Sequence, residues 1–473
     1  MARSTRRSYE YSWRDYAFES EEGRRGPSAF LYALPCVAVW AAYLLVFFPG
    51  LMSMDSLVQW QQLQTMELSD SHPVFHTLLN WVLTRLWESP AAIALAQIFA
   101  LSLVFGAAMA QLERLGVPVW VRVSLTVFVC LLPTNGMMVL NLWKDVPYSI
   151  SLLWLTVLCL KVFQSDGAWL SERRHQAVLG ISLMFVILLR HNGILPATAT
   201  LLAIGIVYRE QWRRALIIGA VCVLTVVTVK GPVYESLQVQ PGERWQALSL
   251  PVHQIGAMVR AGVAVQPEDR ELLASLLPME EWERSYRPYT VDTLVHHPDF
   301  QKQILNEKSG EFVRLWVRFV AEHPHVAFVD GTGLTSLVWS VPQPADGYTY
   351  TTQRDIDANK MGLRLAHPLS PERENAVRQL VAWTEEPARV WWMWRPALYL
   401  YALCALAVVA AIRLGREALL VTVPILANAA GLLVTLPAQD VRYLYGALLI
   451  APVIAGLAFA KEDRVGRAHP FWK

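Results

Sequence analysis

The chain has 473 residues, of which 54% are hydrophobic and only 17% charged, with 19 Trp; this is too apolar for a soluble protein of its size. A formal net charge of +2 leaves no excess that would draw it to nucleic acid. The five cysteines, Cys36, Cys130, Cys159, Cys222 and Cys404, all sit in apolar runs, so the pattern contains neither a disulfide framework nor a zinc-binding spacing.

In chain order, residues 1–28 are polar and Arg-rich and read as a cytoplasmic tail. The apolar run that follows is long enough to span a bilayer, which favours a retained first helix over a cleaved signal peptide. Spanning helices need about 17–25 apolar residues. Ten candidates lie near 29–49, 91–112, 117–139, 147–164, 176–190, 193–208, 215–230, 393–412, 417–436 and 442–460. The pair around Arg190-His191-Asn192-Gly193 reads as two spans or as one broken helix; two spans agree with every basic loop.

Arg6, Arg7, Arg24 and Arg25 precede the first span, and Arg173/Arg174, Arg209/Arg213/Arg214, Arg413/Arg416 and Lys461/Arg464/Arg467 follow alternate spans. Basic residues favour cytoplasmic loops, so both termini are placed in the cytoplasm. The expected fold is an α-helical polytopic membrane protein of the cytoplasmic membrane with about ten transmembrane helices. A first module covers 29–230, an extracytoplasmic domain 231–391, a second module 392–460 and a cytoplasmic tail 461–473.

Two outer segments exceed simple turns. In 50–90, Leu57, Val58, Trp60 and Leu63 recur at helical spacing, as do Phe75, Leu78, Leu79, Leu83, Leu86 and Trp87, which predicts two amphipathic helices lying in the interface. The 231–391 segment reads as mostly helical, with helices near 246–260, 268–277, 307–323 and 371–386. Pro267-Glu268-Asp269 and Ser370-Pro371-Glu372 are helix-start signals.

The chemistry-bearing residues gather at the outer turns. Asp55 follows the first span and reads either as a helix N-cap or as a general base. Ser69-Asp70-Ser71-His72-Pro73-Val74-Phe75-His76 precedes the second amphipathic helix, and Pro73 there is also ordinary turn chemistry. Lys144-Asp145, Arg190-His191-Asn192 and Asp440-Val441-Arg442-Tyr443 mark three further outer turns. Snorkelling accounts for single charges near helix ends, and Asp440 with Arg442 can simply pair. It does not account for the acidic, His and Asn partners that recur beside them, whereas Arg forks and Lys point charges together suit phosphate oxygens. No metal-ligand spacing such as His-Glu-x-x-His supports a divalent ion. Trp339-Ser340-Val341-Pro342 and Tyr348-Thr349-Tyr350 offer aromatic surfaces that stack on sugars or anchor an interface.

On these residues the chain resembles the C-type glycosyltransferases, GT-C, multi-spanning enzymes that use polyprenyl-phosphate sugars. The resemblance lies in the acidic first outer loop with Asp55, the His72-Pro73 element before an amphipathic helix, and Arg442-Tyr443 opening a late span. His323-Pro324-His325-Val326-Ala327-Phe328 and Leu337-Val338-Trp339-Ser340-Val341-Pro342 also look like uncharacterised bacterial membrane proteins grouped loosely with that superfamily. Two departures are that Ser56, not a second acid, follows Asp55, and that Val74 follows Pro73 where a second proline is common.

The resemblance implies inverting sugar transfer on the extracytoplasmic face, with Asp55 as general base and a glycan, lipid or protein as acceptor. Asp70, His72, His76, Lys144, Asp145, Arg190, His191, Asn192, Arg442 and Tyr443 then line the lipid-phosphate site, among membrane lipids and without a certain cofactor. A transporter or flippase of an anionic or lipid-linked substrate, a lipid-linked glycan polymerase or ligase, and a scaffold protein are the alternatives.

Overall fold

The computed structural model describes residues 29–344, 349–350 and 353–465. The terminal basic residues Arg6, Arg7, Arg24, Arg25 and Arg467, and Tyr348, lie outside them. The protein is a helical membrane protein. Among the described residues, six helices are long and apolar enough to cross a bilayer: Ala29–Val46, Pro90–Arg114, Asp145–Gln164, Arg209–Ser236, Pro396–Leu414 and Arg416–Thr435. Shorter apolar helices occupy Val119–Leu131, His191–Val207 and Val441–Leu457, and Arg173–Leu189 is a further helix of the same bundle. The run at 117–139 is not continuous: Pro133, which lacks the N–H a continuing helix needs, starts a separate helix Pro133–Met138. Residues 176–208 form two helices, Arg173–Leu189 and Ile194–Val207, divided at Arg190 by an extended backbone and a short 3-10 turn.

Close helix packing depends on small residues. A Cβ on Gly106 would lie 2.2 Å from the carbonyl oxygen of Ala29, so the helices Ala29–Val46 and Pro90–Arg114 approach backbone to backbone. Asp145–Gln164 is the central helix, with 83% of its apolar window buried, whereas Arg209–Ser236 has only 11% buried and presents its surface to lipid.

The segment after the long peripheral helix divides by packing. Trp245, Val252, Ile255, Met258, Leu273, Trp282, Phe312 and Phe319 share a hydrophobic core of their own, built by helices Ser249–Arg260, Pro267–Leu276 and Ser309–Glu322. Pro267 and Pro371 each open their helices, with acidic residues in the first turn. Leu337, Ile356, Leu365, Val381 and Trp394, by contrast, join the core of the membrane helices. This second half packs with the bundle rather than with that separate core.

The segment 50–90 holds helices Met54–Thr65 and Val74–Leu86. The buried side of the second is polar, with His76, Thr77, Asn80 and Thr84, while Val82 is 55% and Leu86 86% exposed. This reverses the pattern of a soluble protein and suits a helix whose outer side meets lipid. The buried polar side is satisfied against Gln59: its amide nitrogen donates to Thr77 Oγ1 at 3.1 Å and its Oε1 accepts from His76 Nδ1 at 3.1 Å. Replacing Gly106 by Leu should separate the two packed helices and abolish the monodisperse, detergent-stable species; size-exclusion profiles of mutant and parent proteins check this.

Candidate functional site

A short backbone ladder brings the distant loops together. Gly50, at φ +128°, makes a turn that puts Leu51 against 140–142, where Leu51 N donates to the Leu140 carbonyl and Leu142 N to the Leu51 carbonyl, both at 3.0 Å. Asp357 N donates to the Met52 carbonyl at 2.9 Å on the other side. Ser56 Oγ donates to the Leu142 carbonyl at 3.1 Å, and Trp143 Nε1 to Ser53 Oγ at 2.8 Å. Asp55 and Lys144 are thereby delivered to one cluster, on either side of His72.

Asp55 is not the N-cap that its place in the sequence allows. Ser53 occupies that position, the Asp357 carboxylate accepts from Met54 N at 2.9 Å, and Asp55 stands in the first turn of the helix. Its carboxylate is therefore free to accept from Arg442 Nη1 at 2.9 Å. Arg442 also meets Asp440 through Nε at 2.7 Å, and its guanidinium lies 4.9 Å from the Trp143 ring centre and 5.1 Å from that of Tyr443. Asp440 caps the 3-10 turn Val441–Leu444 by accepting from Arg442 N at 3.0 Å.

His72 joins Asp55 to Lys144. Its Nδ1 is 3.0 Å from Lys144 Nζ and its Nε2 3.8 Å from Asp55 Oδ1. An ammonium can only donate, so Nδ1 accepts and the neutral ring turns its Nε2–H toward the carboxylate. The positive charge of Lys144, followed by burial, lowers the imidazole to about 3 and keeps it neutral at physiological pH. Burial pushes the Asp55 carboxyl up, but Arg442, Lys144 and His72 outweigh it and hold it well below the usual range. Burial lowers the Lys144 ammonium, partly offset by Asp55 and Asp145.

Asp145, fully buried at the start of the central helix, meets Arg190 at 2.9 Å. The Arg190 guanidinium stands 5.5 Å from the Tyr148 ring centre and 4.9 Å from that of Tyr443. Each arginine therefore arrives already matched to a carboxylate. Lys144 forms no carboxylate ion pair among the described residues; its ammonium is spent on His72.

The other expected residues fall at different distances from this cluster. Asp70 and His191 form a neighbouring group with Lys230, and Asn192 donates to Thr435 Oγ1 at 3.4 Å. His76 lies in the polar seam of the amphipathic helices, its Nε2 accepting from Asn80 at 3.3 Å, and burial lowers it to about 3. No group of His, Cys, Asp or Glu among the described residues is arranged to hold a metal ion.

Sequence reasoning missed several contributors. Pro437 and Ala438 are covered by the outer unit: Val291 N donates to the Pro437 carbonyl at 2.9 Å and Thr290 pairs with Ala438. Gln439–Asp440 pairs in parallel with Thr349–Tyr350 from the other side. Arg395, fully buried, donates to the carbonyls of Ser336 at 3.0 Å and Ser340 at 2.8 Å and to Gln439 Oε1 at 3.2 Å, which fixes the strand carrying Asp440. The signal for Arg395 was a lone arginine directly before Pro396 and an apolar run.

Burial, outweighing Arg442, raises the Asp440 carboxyl to about 6. Its contribution to stability is fully present below its unfolded value of about 4 and is lost as pH rises through 6. Infrared difference spectra should therefore show a carboxylic-acid band vanishing near pH 6 that is missing from Asp440→Asn; a band that survives in that variant would belong to another group. Removing Arg442 leaves Asp55 and Asp440 without their guanidinium, so Arg442→Ala should cost about 3–5 kcal/mol of stability, as broken buried pairs do. Thermal melts of the purified protein read this loss.

No curated protein and no solved structure matches the chain. A family profile does, over residues 58–470, and the chain belongs to that family, described as a family of unknown function, DUF6020.

Proposed function

We propose that the protein is a glycosyltransferase of the cytoplasmic membrane that moves a sugar from a polyprenyl-phosphate donor to an acceptor hydroxyl on the extracytoplasmic face. One observation carries the reading: Asp55 is the accessible carboxylate of the cluster. Its side chain is 35% exposed, against 1% for Asp145 and 7% for Asp440, which serve their arginines inside the protein. A proton acceptor must reach the substrate, and Asp55 alone of these three meets that condition.

In this mechanism Asp55 takes the proton of the acceptor hydroxyl as its oxygen bonds to the anomeric carbon. The bond from that carbon to the phosphate oxygen breaks, and the lipid phosphate leaves with the electron pair. Lys144 and Arg442 stabilise the charge growing on it. As Arg442 turns to the phosphate, Asp55 loses the partner that holds its carboxyl low and becomes a stronger base at the moment it is needed. Binding and base strength are thus coupled through one guanidinium.

The reading places ten crossings in the membrane, with both termini in the cytoplasm and the Asp55 pocket outside. The ten apolar segments, the basic residues after alternate ones, and the gathering of Asp55, His72, Lys144, Arg190 and Arg442 at one end of the bundle support it. Asp55→Asn should reduce transfer from a panel of polyprenyl-phosphate sugars by roughly a hundredfold or more, the scale of a lost general base, while the protein still elutes as folded. Undiminished transfer in a radiolabelled-sugar assay would remove Asp55 from this role.

A further inference from the structure

The chain builds a second group of the same kind beside the first. At the outer end of the lipid-facing helix Trp212–Thr228, a π turn at Val229–Val233 carries Lys230. Snorkelling would send its ammonium to water, yet it turns toward the bundle, 3.2 Å from His191 Nδ1 and 3.7 Å from Asp70 Oδ2. His191 Nε2 donates to the Asp70 carbonyl at 3.2 Å, so its Nδ1 accepts from the lysine. Burial lowers the His191 imidazole. Lys230–His191–Asp70 resembles Lys144–His72–Asp55 in holding an ammonium on the Nδ1 of a histidine, but differs in that the histidine Nε2–H reaches the backbone carbonyl of the aspartate and the ammonium itself meets the aspartate's carboxylate.

The two groups stand back to back on shared segments. Asp70 and His72 share one loop and Arg190 and His191 another, one member of each pair contacting the Lys230 group and the other the cluster at Asp55 and Asp145, so the two groups adjoin. Asn192 adds a buried side-chain oxygen with no hydrogen-bond partner among the described residues. Along the peripheral helix Leu216, Val223, Leu224 and Val227 are 60–68% exposed, and Ile194 and Leu195 next to His191 are also exposed.

We propose that Lys230, His191 and Asp70 form a headgroup subsite for the polyprenyl phosphate, at which the carrier lipid docks from the bilayer with its chain along Trp212–Thr228 before its phosphate passes inward. The proposal rests on the glycosyltransferase reading. The lysine keeps two N–H donors for phosphate oxygens, and the Asp70 carboxylate is the partner it exchanges for them.

Native mass spectrometry of the full-length protein tests this with undecaprenyl phosphate, phosphatidylglycerol and inorganic phosphate as separate probes. Undecaprenyl phosphate should bind the parent protein, bind Lys230→Gln about tenfold or more weakly, as expected for a lost hydrogen bond to a charged group, and recover with Lys230→Arg. Equal binding to parent and Lys230→Gln would overturn the subsite and leave the glycosyltransferase reading intact. No binding to the parent would overturn both. Phosphatidylglycerol bound as tightly and with the same dependence on Lys230 would overturn the carrier assignment, as would inorganic phosphate that displaces the lipid at equal concentration.

Discussion

Much of the pocket is organised by one ion pair, Arg442 with Asp55, which joins positions 387 residues apart in the chain. A guanidinium buried at a helix end is stable only when carboxylates meet it, and a carboxylate there needs the guanidinium in turn. That mutual need pins the segment at Asp55 to the start of the last helix. Asp440 on the other side of Arg442, and Arg190 with Asp145 beneath, extend the same rule through the end of the bundle.

Charge matching limits what this cluster offers an anion. Three cations near Asp55 would be a strong anion trap if they were free, but two of them are already neutralised by aspartates. A ligand phosphate would have to exchange with a carboxylate rather than fill an empty cradle. Exchange links occupancy of the pocket to the basicity of Asp55, because the same guanidinium serves both. Lys144, held by a neutral histidine rather than an acid, is the cation most readily turned to a ligand.

The surroundings are built to hold this arrangement in place. Loop 50–52 is hydrogen-bonded on both sides, to 140–142 and to 355–357. The segment 437–440 is roofed by 290–291 and flanked by 349–350. The outer unit has its own core, centred on Trp282 and Phe312, so it can hold the roof rigidly while the membrane helices hold the floor. The helix Val74–Leu86 turns its polar side inward, which keeps a buried, mutually hydrogen-bonded seam of Gln59, His76 and Asn80 near Lys144.

Hydrophobic run length and helix-start chemistry were readable from local sequence because both act over neighbouring residues. The helices at 29–46, 90–114 and 396–414, and the proline-led starts at Pro267 and Pro371, follow from spacing alone. So did the recurrence of charges at one set of turns, since polarity interrupts an apolar run visibly. Local sequence could not decide that Asp357 rather than Asp55 satisfies the helix start at Met54, that Arg395 anchors the strand beside Asp440, or that Lys230 turns inward to His191. These depend on pairings between segments 39 to 303 residues apart, where burial makes each charge choose its partner from whatever the fold sets beside it. Composition and periodicity determined that the chain is a bundle of apolar helices with ionisable turns; only the tertiary structure decided which of those turns face one another, because electrostatic pairing in a low dielectric is a property of distance in space and not of distance along the chain.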